Sequence, residues 1–231
     1  LAINETKLDE TISDEQISLR DYNYLRKNRN KHGGGVCLFI RKSITHSRKF
    51  KTESENLEML SIKVKNKNCK PFLITTWYRP PKASDDCFES FENYLKIADS
   101  KYKEIYILGD LNCNSLTNNP TSSLEHHTLR LIDILNNYQM WQIVNEPTRV
   151  TQTTMSLTDY CITNRPESIV YSGVYPTSIS DHDLVFAVRK VGISRGNPKI
   201  IETRSFKNFE EDNFKHDLQN AEWPSVTSFH N

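Results

Sequence analysis

The sequence predicts an α/β protein in which two β-sheets pack against each other and helices cover their outer faces. Segments of strand character outnumber helical segments, and they come in groups rather than in strict alternation with helices. A single doubly wound sheet requires that alternation, so two packed sheets are favoured. The hydrophobic share of 36% over 231 residues is enough to form a sizeable core.

The first half of the chain predicts several strands and one helix. The run GGGVCLFIRKS predicts a turn followed by a strand, and LEMLSIKVK and KPFLITTWY predict two strands of a meander. Residues 86–100 place Phe88, Phe91 and Leu95 at helical spacing, which predicts a helix with one apolar face. The segment EIYILGD then predicts a short buried strand.

The second half begins with a helix and continues with strands. In SSLEHHTLRLIDILNNY, Ser122 and Glu125 match a capping box, and leucines and isoleucines follow at helical spacing. Three or four short strands are predicted after it: WQIVN, SLTDYCITN, SIVYSG and LVFAV. The last of them, Leu184 to Val188, is apolar throughout and is predicted to be a buried strand.

The chain divides near residue 191. Residues 1–191 are predicted to form one domain, and residues 192–231 a linker followed by a short amphipathic helix with Phe214 and Leu218 on one face. The opening LAINETKL is typical of the middle of a domain, so we interpret the chain as a fragment that is truncated at its N-terminus. The longest apolar runs have five residues, too few for a membrane-spanning helix.

Cysteine content and charge narrow the classes of protein further. Five cysteines, odd in number and widely spread, disfavour a disulfide framework or a zinc site and favour a reducing compartment. The net charge of +1 indicates no general affinity for nucleic acid. Residues 26–70 nevertheless hold thirteen Lys and Arg against three Glu, a local charge of +10. This basic region is either the solvated side of ordinary strands or a surface that faces a polyanion.

Polar side chains follow several of the apolar strands. They are Glu5, Asp110, Asn112, Asp159, Asp181 and His182. An Asp after a strand and a Gly is usually a turn residue, and an Asp–His pair is usually part of a solvated loop. Together, however, they offer carboxylates for a hard divalent cation and a histidine that Asp159 could orient as a base. If their backbone is extended, Asp110 and Asn112 project to the same side.

Six motifs in a fixed order carry a resemblance to a known family. NETKL, GGGVCLFI, WYRPP, GDLNCN, SLTDYCI and SDHDLV together resemble the endonuclease/exonuclease/phosphatase superfamily, which has the DNase I-like fold. The phrases GGGV, YRPP and PTRVTQTTMSLTDYCITN are similar to the apurinic-type endonuclease domain of jockey-like non-LTR retrotransposons. The resemblance covers residues 1 to about 190. It implies a four-layer sandwich of two packed mixed β-sheets flanked by helices.

The resemblance also implies an active site. Glu5 and Asp181 would be the metal ligands, with Mg²⁺ as the ion and Mn²⁺ as an alternative. Asp110 would position the water or serve the leaving group. Asp159 would orient His182, which would be the base or the phosphate stabiliser. Two residues would contact the phosphate, Tyr78 through its ring hydroxyl and Asn112 as a donor, although Tyr78 could equally be an ordinary half-buried strand aromatic.

One departure from the family stands out, because the family begins with an Asn-bearing strand and a helix before the Glu motif. Only four residues precede Glu5, so this first strand and helix are predicted to be missing, and Asn4 is not a substitute because it abuts the Glu.

The resemblance further implies that the chain nicks target DNA and leaves a 3′-hydroxyl that primes reverse transcription. It would act inside the cell, in the nucleus, without a membrane partner, and the C-terminal tail would lead to a covalently linked reverse transcriptase. Two alternatives remain open: a phosphatase of the same fold acting on a phospholipid or inositol phosphate, and an inactive decayed fragment that binds nucleic acid weakly.

Overall fold

The computed structural model describes residues 1–66, 69–116, 125–191 and 205–223. In chain order the strands and helices are β1 (Ala2–Asn4), α1 (Asp14–Ile17), β2 (Tyr22–Lys27), β3 (Val36–Arg41), β4 (Thr45–Arg48), β5 (Glu58–Asn66), β6 (Cys69–Tyr78), α2 (Asp86–Lys101), β7 (Ile105–Asp110), α3 (His126–Asn137), β8 (Trp141–Gln142), β9 (Arg149–Val150), β10 (Met155–Ser156), β11 (Asp159–Thr163), β12 (Ile169–Tyr175), β13 (Leu184–Arg189) and α4 (Glu211–Asn220). They divide between two units, Leu1–Ile193 and Ser194–Asn231, and only α4 belongs to the second.

Two larger sheets form the first unit. The six-stranded sheet has the order β4-β5-β6-β7-β11-β8, in which β6 and β7 are parallel and the other neighbours antiparallel. The α2 helix connects the two parallel strands, as such a crossover requires. A three-stranded antiparallel sheet has the order β1-β3-β2, and β9-β10 and β12-β13 form two-stranded pairs. The predicted α/β class with two sheets and flanking helices is confirmed.

Alternating side chains of the six-stranded sheet build two cores. On one side, Trp77 of β6 stacks on Phe91 of α2 with ring centroids 4.1 Å apart, and Met59 and Leu73 join the same cluster. On the other side, Leu60 and its neighbours pack against apolar residues of β3. Because successive side chains of a strand point to opposite faces, Met59 and Leu60 belong to different cores. The six-stranded sheet is therefore the central layer of the unit.

Most of the predicted elements are present. The apolar runs become β3, β5, β6, β7 and β11, and both predicted helices form as α2 and α3. Glu125 precedes α3 without a side-chain cap, and Ser122 of the proposed capping box lies outside the described residues. Among the strands that the sequence analysis missed are β1, β2 and β4. These strands are short or rich in polar residues, and their formation depends on pairing with β3 and β5.

The prediction that Leu184 to Val188 is a buried strand is wrong. The strand β13 forms, but Leu184 is 41% exposed and Val188 is 47% exposed. Within the described residues β13 pairs only with β12, so its second edge has no strand partner. An apolar sequence sets the preference for burial, but a strand is buried only where neighbours cover it.

An open apolar cavity of about 700 Å³ lies beside this hairpin. Residues of β1, β3, β6 and β13 line it, and Asp110 and Asp159 lie at its wall. Like β13, β1 has one edge without a strand partner among the described residues. The cavity thus lies between β1 and β13, each of which has one edge without a strand partner within the described residues.

Gly109 allows β1 to approach β6 and β7 immediately before Asp110. Its φ of +152° is rarely adopted by other residues, and an added Cβ would lie 2.0 Å from the carbonyl oxygen of Trp77 and 2.6 Å from Nδ2 of Asn4. Asn4 uses the space by donating from Nδ2 to the Trp77 carbonyl (3.1 Å) and accepting from Thr76 (3.0 Å). Asn4 therefore links β1 of the three-stranded sheet to β6 of the six-stranded sheet.

We expect Gly109→Ala to lower the free energy of unfolding by about 2 kcal/mol or more, because the methyl group would overlap fixed backbone atoms in a disfavoured conformation. Urea unfolding followed by circular dichroism measures this loss. Gly173→Ala is the matched control, since its added Cβ would meet nothing closer than 3.5 Å. Equal stability of the two variants would contradict the proposed close approach.

The second unit contains the predicted C-terminal helix as α4, with an ion pair between Glu211 and Lys215 one turn apart. Phe214 is 50% exposed and Leu218 38% exposed, so the apolar face is largely uncovered. All five cysteines of the chain carry free thiols. Among the described residues, no helix combines the length and the apolar composition that a membrane crossing requires.

Candidate active site

The register of two strand contacts brings three predicted site residues together. In the antiparallel pair of β7 and β11, Asp110 lies directly opposite Asp159. An isolated antiparallel bridge between Arg149 and His182 holds the segment before β13 at the same end of the sheet. The potential ligand atoms of Asp110, Asp159 and His182 consequently lie within 4.8 Å of one another. Residues far apart in sequence thus converge on one point at the end of the central sheet.

Within this group, Asp159 and His182 are joined by a hydrogen bond. Nδ1 of His182 is 2.8 Å from Oδ2 of Asp159, and the side chains are 29% and 19% exposed. This hydrogen bond is the main reason that the pKa of His182 is raised, although burial opposes it. With Nδ1 donating to the carboxylate, Nε2 is free to accept a proton, and no hydrogen bond to Nε2 is present within the described part of the chain.

Thr148, which the sequence analysis did not identify, holds Asp159 in place. Its hydroxyl donates to Oδ2 of Asp159 (2.7 Å) and accepts from the backbone N–H groups of Asp159 (3.0 Å) and Thr158 (3.2 Å). Thr148 is fully buried. Its position in PTRVTQ carries no spacing signal toward Asp159, so only the quoted family motif could have pointed to it.

Asp110 is a buried carboxylate in a negatively charged setting. It is 8% exposed, and its pKa is raised to about 7, first by burial and then by repulsion from Asp159. The backbone N–H of Asn112 donates to Oδ1 (3.0 Å) and partly opposes the shift. A carboxyl group with a pKa close to neutral pH can hold or release a proton under working conditions.

The expected extended arrangement of Asp110 and Asn112 is wrong. Strand β7 ends at Asp110, and Asn112 has a left-handed φ of 47°, so the two side chains do not share a strand face. They are neighbours for another reason: Nδ2 of Asn112 donates to Oδ2 of Asp110 (3.2 Å) and to the carbonyl oxygen of Arg79 (2.9 Å). Donation from Asn112 to a phosphate remains a prediction, because both amide hydrogens are already used.

Glu5 and Tyr78 meet at the same edge of the sheets. Glu5 directly follows β1 with a left-handed φ of 53°, and the hydroxyl of Tyr78 donates to its Oε1. Tyr78 is 1% exposed and belongs to the core between the sheets, and burial followed by the bond to Glu5 raises the pKa of its hydroxyl. Tyr78 is thus a core aromatic whose hydroxyl reaches the Glu5 carboxylate. Its direct contact with a phosphate stays a prediction.

Asp181 is paired with Arg149 and is not part of the group formed by Asp110, Asp159 and His182. Its Oδ2 is 2.7 Å from both Nε and Nη2 of Arg149, and the Asp181 side chain is 48% exposed. The hydrogen bond from Arg149 lowers the pKa of Asp181. The imidazole of His182 faces Asp159, whereas the carboxylate of Asp181 faces Arg149. The role of Glu5 and Asp181 as a ligand pair stays a prediction.

The donors that are present fit a hard divalent cation. Asp110 and Asp159 lie next to each other, and the charge of Glu5 also raises the pKa of Asp110, so three carboxylates share one neighbourhood. Such an excess of negative charge is what a bound cation would neutralise, and Mg²⁺ prefers a few carboxylate oxygens with waters and phosphate completing its shell. Glu5 and Asp110 are the residues that best match this role, with Asp159 committed to His182.

Replacing the Asp110 carboxyl tests this electrostatic picture. A raised pKa means that the folded state binds more protons than the unfolded state between about pH 4 and 7, so the stability of the parent falls as pH rises through that window. We expect Asp110→Asn to unfold like the parent near pH 4 and to be more stable by up to about 4 kcal/mol near pH 8. Denaturant unfolding without added metal measures the difference, and Asp99→Asn, exposed on α2, is the control. A constant difference at all pH values would contradict the assigned cause.

Comparison with solved structures defines the class of fold. The structure superposes on the endonuclease domain of TRAS1, a telomere-specific non-LTR retrotransposon, with a TM-score of 0.61 at 14% identity, covering 74% of this chain and 82% of that one. It superposes on the catalytic domain of Xenopus laevis APE2 with a TM-score of 0.62 at 17% identity, covering 82% of this chain and 82% of that one. The 3′ phosphatase NExo from Neisseria, bound to a product DNA hairpin, superposes with a TM-score of 0.59 at 10% identity, covering 82% of this chain and 88% of that one. These similarities show the DNase I-like fold.

The sequence itself identifies the family. The model of the endonuclease/exonuclease/phosphatase family matches residues 1–182, and the chain belongs to this family. A search of curated protein sequences found no match. The matched region contains every candidate site residue described above, so the family assignment rests on the part of the chain that builds the site.

Proposed function

We propose that this chain is a Mg²⁺-dependent endonuclease domain that nicks DNA and leaves a 3′-hydroxyl, as part of a non-LTR retrotransposon protein. The observation that carries the proposal is the His182–Asp159 hydrogen bond next to the buried Asp110 carboxyl. A histidine with an anchored Nδ1 and an open Nε2, facing a cluster of carboxylates, supplies a base beside a cation-binding position. Phosphodiester hydrolysis requires this combination.

The chain's own residues would divide the chemistry as follows. His182 would accept a proton at Nε2 from the attacking water, and Asp159 would stabilise the imidazolium that results. Asp110 would position the attacking water beside the ion. Glu5 and Asp110 would hold the magnesium ion, which supplies charge stabilisation at the phosphate. Tyr78 would keep the Glu5 carboxylate oriented through its hydroxyl.

The basic region contributes to the proposed DNA contact only in part. Asn4 pairs with Val36 and Glu58 with Tyr78, so the β2–β3 loop and the start of β5 lie at the active-site end. Lys65, seven residues along β5 from Glu58, is roughly 20 Å away at about 3.3 Å per residue. In this loop Arg29 is paired with Glu58, so Lys31 is the cation best placed to meet a DNA backbone near the site.

DNA is the favoured substrate class because the structural neighbours point to it. The retrotransposon neighbour is an endonuclease domain and the Neisseria enzyme is bound to a DNA product. The two alternatives are a phosphatase acting on a phospholipid or inositol phosphate, which the same family includes by its name, and an inactive fragment.

A nicking assay on supercoiled plasmid, set beside phosphate release from inositol phosphates, separates the three. We expect Mg²⁺-dependent conversion to nicked circles whose ends are extended by a DNA polymerase without pretreatment, as a 3′-hydroxyl requires. His182→Ala prepared in parallel controls for contaminating nucleases. Phosphate release without nicking would favour the phosphatase, and neither activity at high protein concentration would favour the inactive fragment.

A further inference from the structure

A second group of metal-binding side chains lies at the start of two helices and shares no residue with the active site. Asp85 directly precedes α2, and His126 and His127 are the first two residues of α3. The potential ligand atoms of the three side chains lie within 4.8 Å of one another. Nothing in the proposed nuclease chemistry uses these residues.

Two of the three ligands already have the separation that a bound ion requires. Nε2 of His127 lies 3.2 Å from Oδ1 of Asp85. Two ligand atoms at about 2.0–2.1 Å from a tetrahedral metal ion are separated by about 3.3 Å. The ring of His127 is also held in place, because it stacks on Phe88 with centroids 5.9 Å apart and an interplanar angle of 25°.

The third ligand is close and free to adjust. The His126 ring centroid is 5.7 Å from that of His127, and His126 is exposed, so a rotation of its side chain meets little resistance. The guanidinium of Arg130 lies 6.0 Å from the centroid of the Phe88 ring, and its charge is offset by Glu89 at 3.9 Å.

The donor set selects the class of metal. Two imidazoles and one carboxylate suit zinc and similar transition-metal ions, whereas Mg²⁺ prefers oxygen ligands in an octahedral shell. One carboxylate leaves a divalent ion with a net positive charge, so a water, hydroxide or other anion would complete the shell. The amino-terminal ends of α2 and α3 favour a negative group at this place.

We propose that Asp85, His126 and His127 form a zinc-type metal site that joins the amino-terminal ends of α2 and α3. An ion held there cross-links the two helices that cover the same face of the central sheet. Transition-metal ions then stabilise the fold independently of the Mg²⁺ that supports nicking. The two sites differ in ligand chemistry, so each can be removed without the other.

Cobalt titration of the metal-free chain tests the site, because Co²⁺ in a histidine and carboxylate site absorbs visible light. The titrations are made in the His182→Ala background, which removes the active-site histidine. We expect saturable absorbance that Zn²⁺ displaces, and a loss of affinity of more than about tenfold in His126→Ala, His127→Phe and Asp85→Asn. His127→Phe keeps the ring on Phe88 and removes only the ligand atom.

His216→Ala, in the exposed α4, is the matched control and should leave the titration unchanged. Circular dichroism of each variant checks that it is folded, and the exposed His126→Ala variant is decisive if another fails to fold. Absorbance that persists in all three ligand variants, or no absorbance at any Co²⁺ concentration tested, would overturn the proposal. These outcomes do not depend on nuclease activity.

Discussion

His182→Ala is expected to lower the single-turnover rate of plasmid nicking by about 10²–10⁴, because general-base assistance has typically that value. The structure gives His182 one anchored nitrogen, 2.8 Å from Asp159, and one open nitrogen for the reacting water. DNA binding should remain nearly intact, since the histidine contributes little net charge to the surface. Filter binding or fluorescence anisotropy on uncleaved DNA separates the two effects.

Asp159→Asn is expected to lower the nicking rate by a large part of the factor lost in His182→Ala, although Asp159 and His182 are 23 positions apart in sequence. An asparagine can no longer stabilise the imidazolium, and it can orient the ring in the wrong tautomer. The carboxylate also raises the pKa of His182, so its removal should shift the acid limb of the pH–rate profile to lower pH. A purely structural role for Asp159 would reduce the rate without that shift.

The double variant distinguishes a working pair from two separate contributions. Groups that act as a unit are not additive, so Asp159→Asn combined with His182→Ala should be little slower than His182→Ala alone. Asp183→Asn is the control, because it is adjacent to His182 and has no role in the proposed chemistry. If the two single losses multiply in the double variant, the pairing is wrong and Asp159 has another function.

Glu5→Ala is expected to have a comparably large effect through the metal. We expect nicking to require Mg²⁺ or Mn²⁺, and the variant to lose most of its rate together with the saturable dependence on metal concentration. Glu5 is held by Tyr78 at the edge where its charge reaches Asp110, so its removal takes away one of three clustered carboxylates. Removing one catalytic contact of this kind typically costs 10²–10³ in rate.

Two measurements accompany the Glu5 variant. Tyr78→Phe removes only the hydroxyl that orients Glu5 and should weaken the apparent metal affinity with a smaller loss of rate at saturating Mg²⁺. Glu55→Ala, an exposed acid in the loop before β5, should titrate like the parent. If Glu5→Ala also responds to Mg²⁺ like the parent, Glu5 is a surface residue and the metal assignment fails.

By itself the sequence determined which ionisable side chains the site could use and where most of the central strands and helices form. The apolar runs, together with the helical spacing of Phe88, Phe91 and Leu95, predicted the central strands and helices, because local patterns follow from the periods of strand and helix. The ordered motifs also singled out Asp110, Asp159 and His182, which the structure brings together. Short polar strands such as β4 were missed, because they form only by pairing with a neighbour.

Only the tertiary structure decided which groups face each other. The pairing of Asp110 with Asp159 and the bridge at Arg149 turn His182 toward the acids and Asp181 toward solvent. Burial was decided in the same way, since Leu184 and its strand are apolar but covered on one edge only, whereas Thr148 is polar and fully buried beneath Asp159. The physical reason is that strand register and neighbours are long-range properties. A shift of one residue in register reverses every side chain, and no local pattern records it.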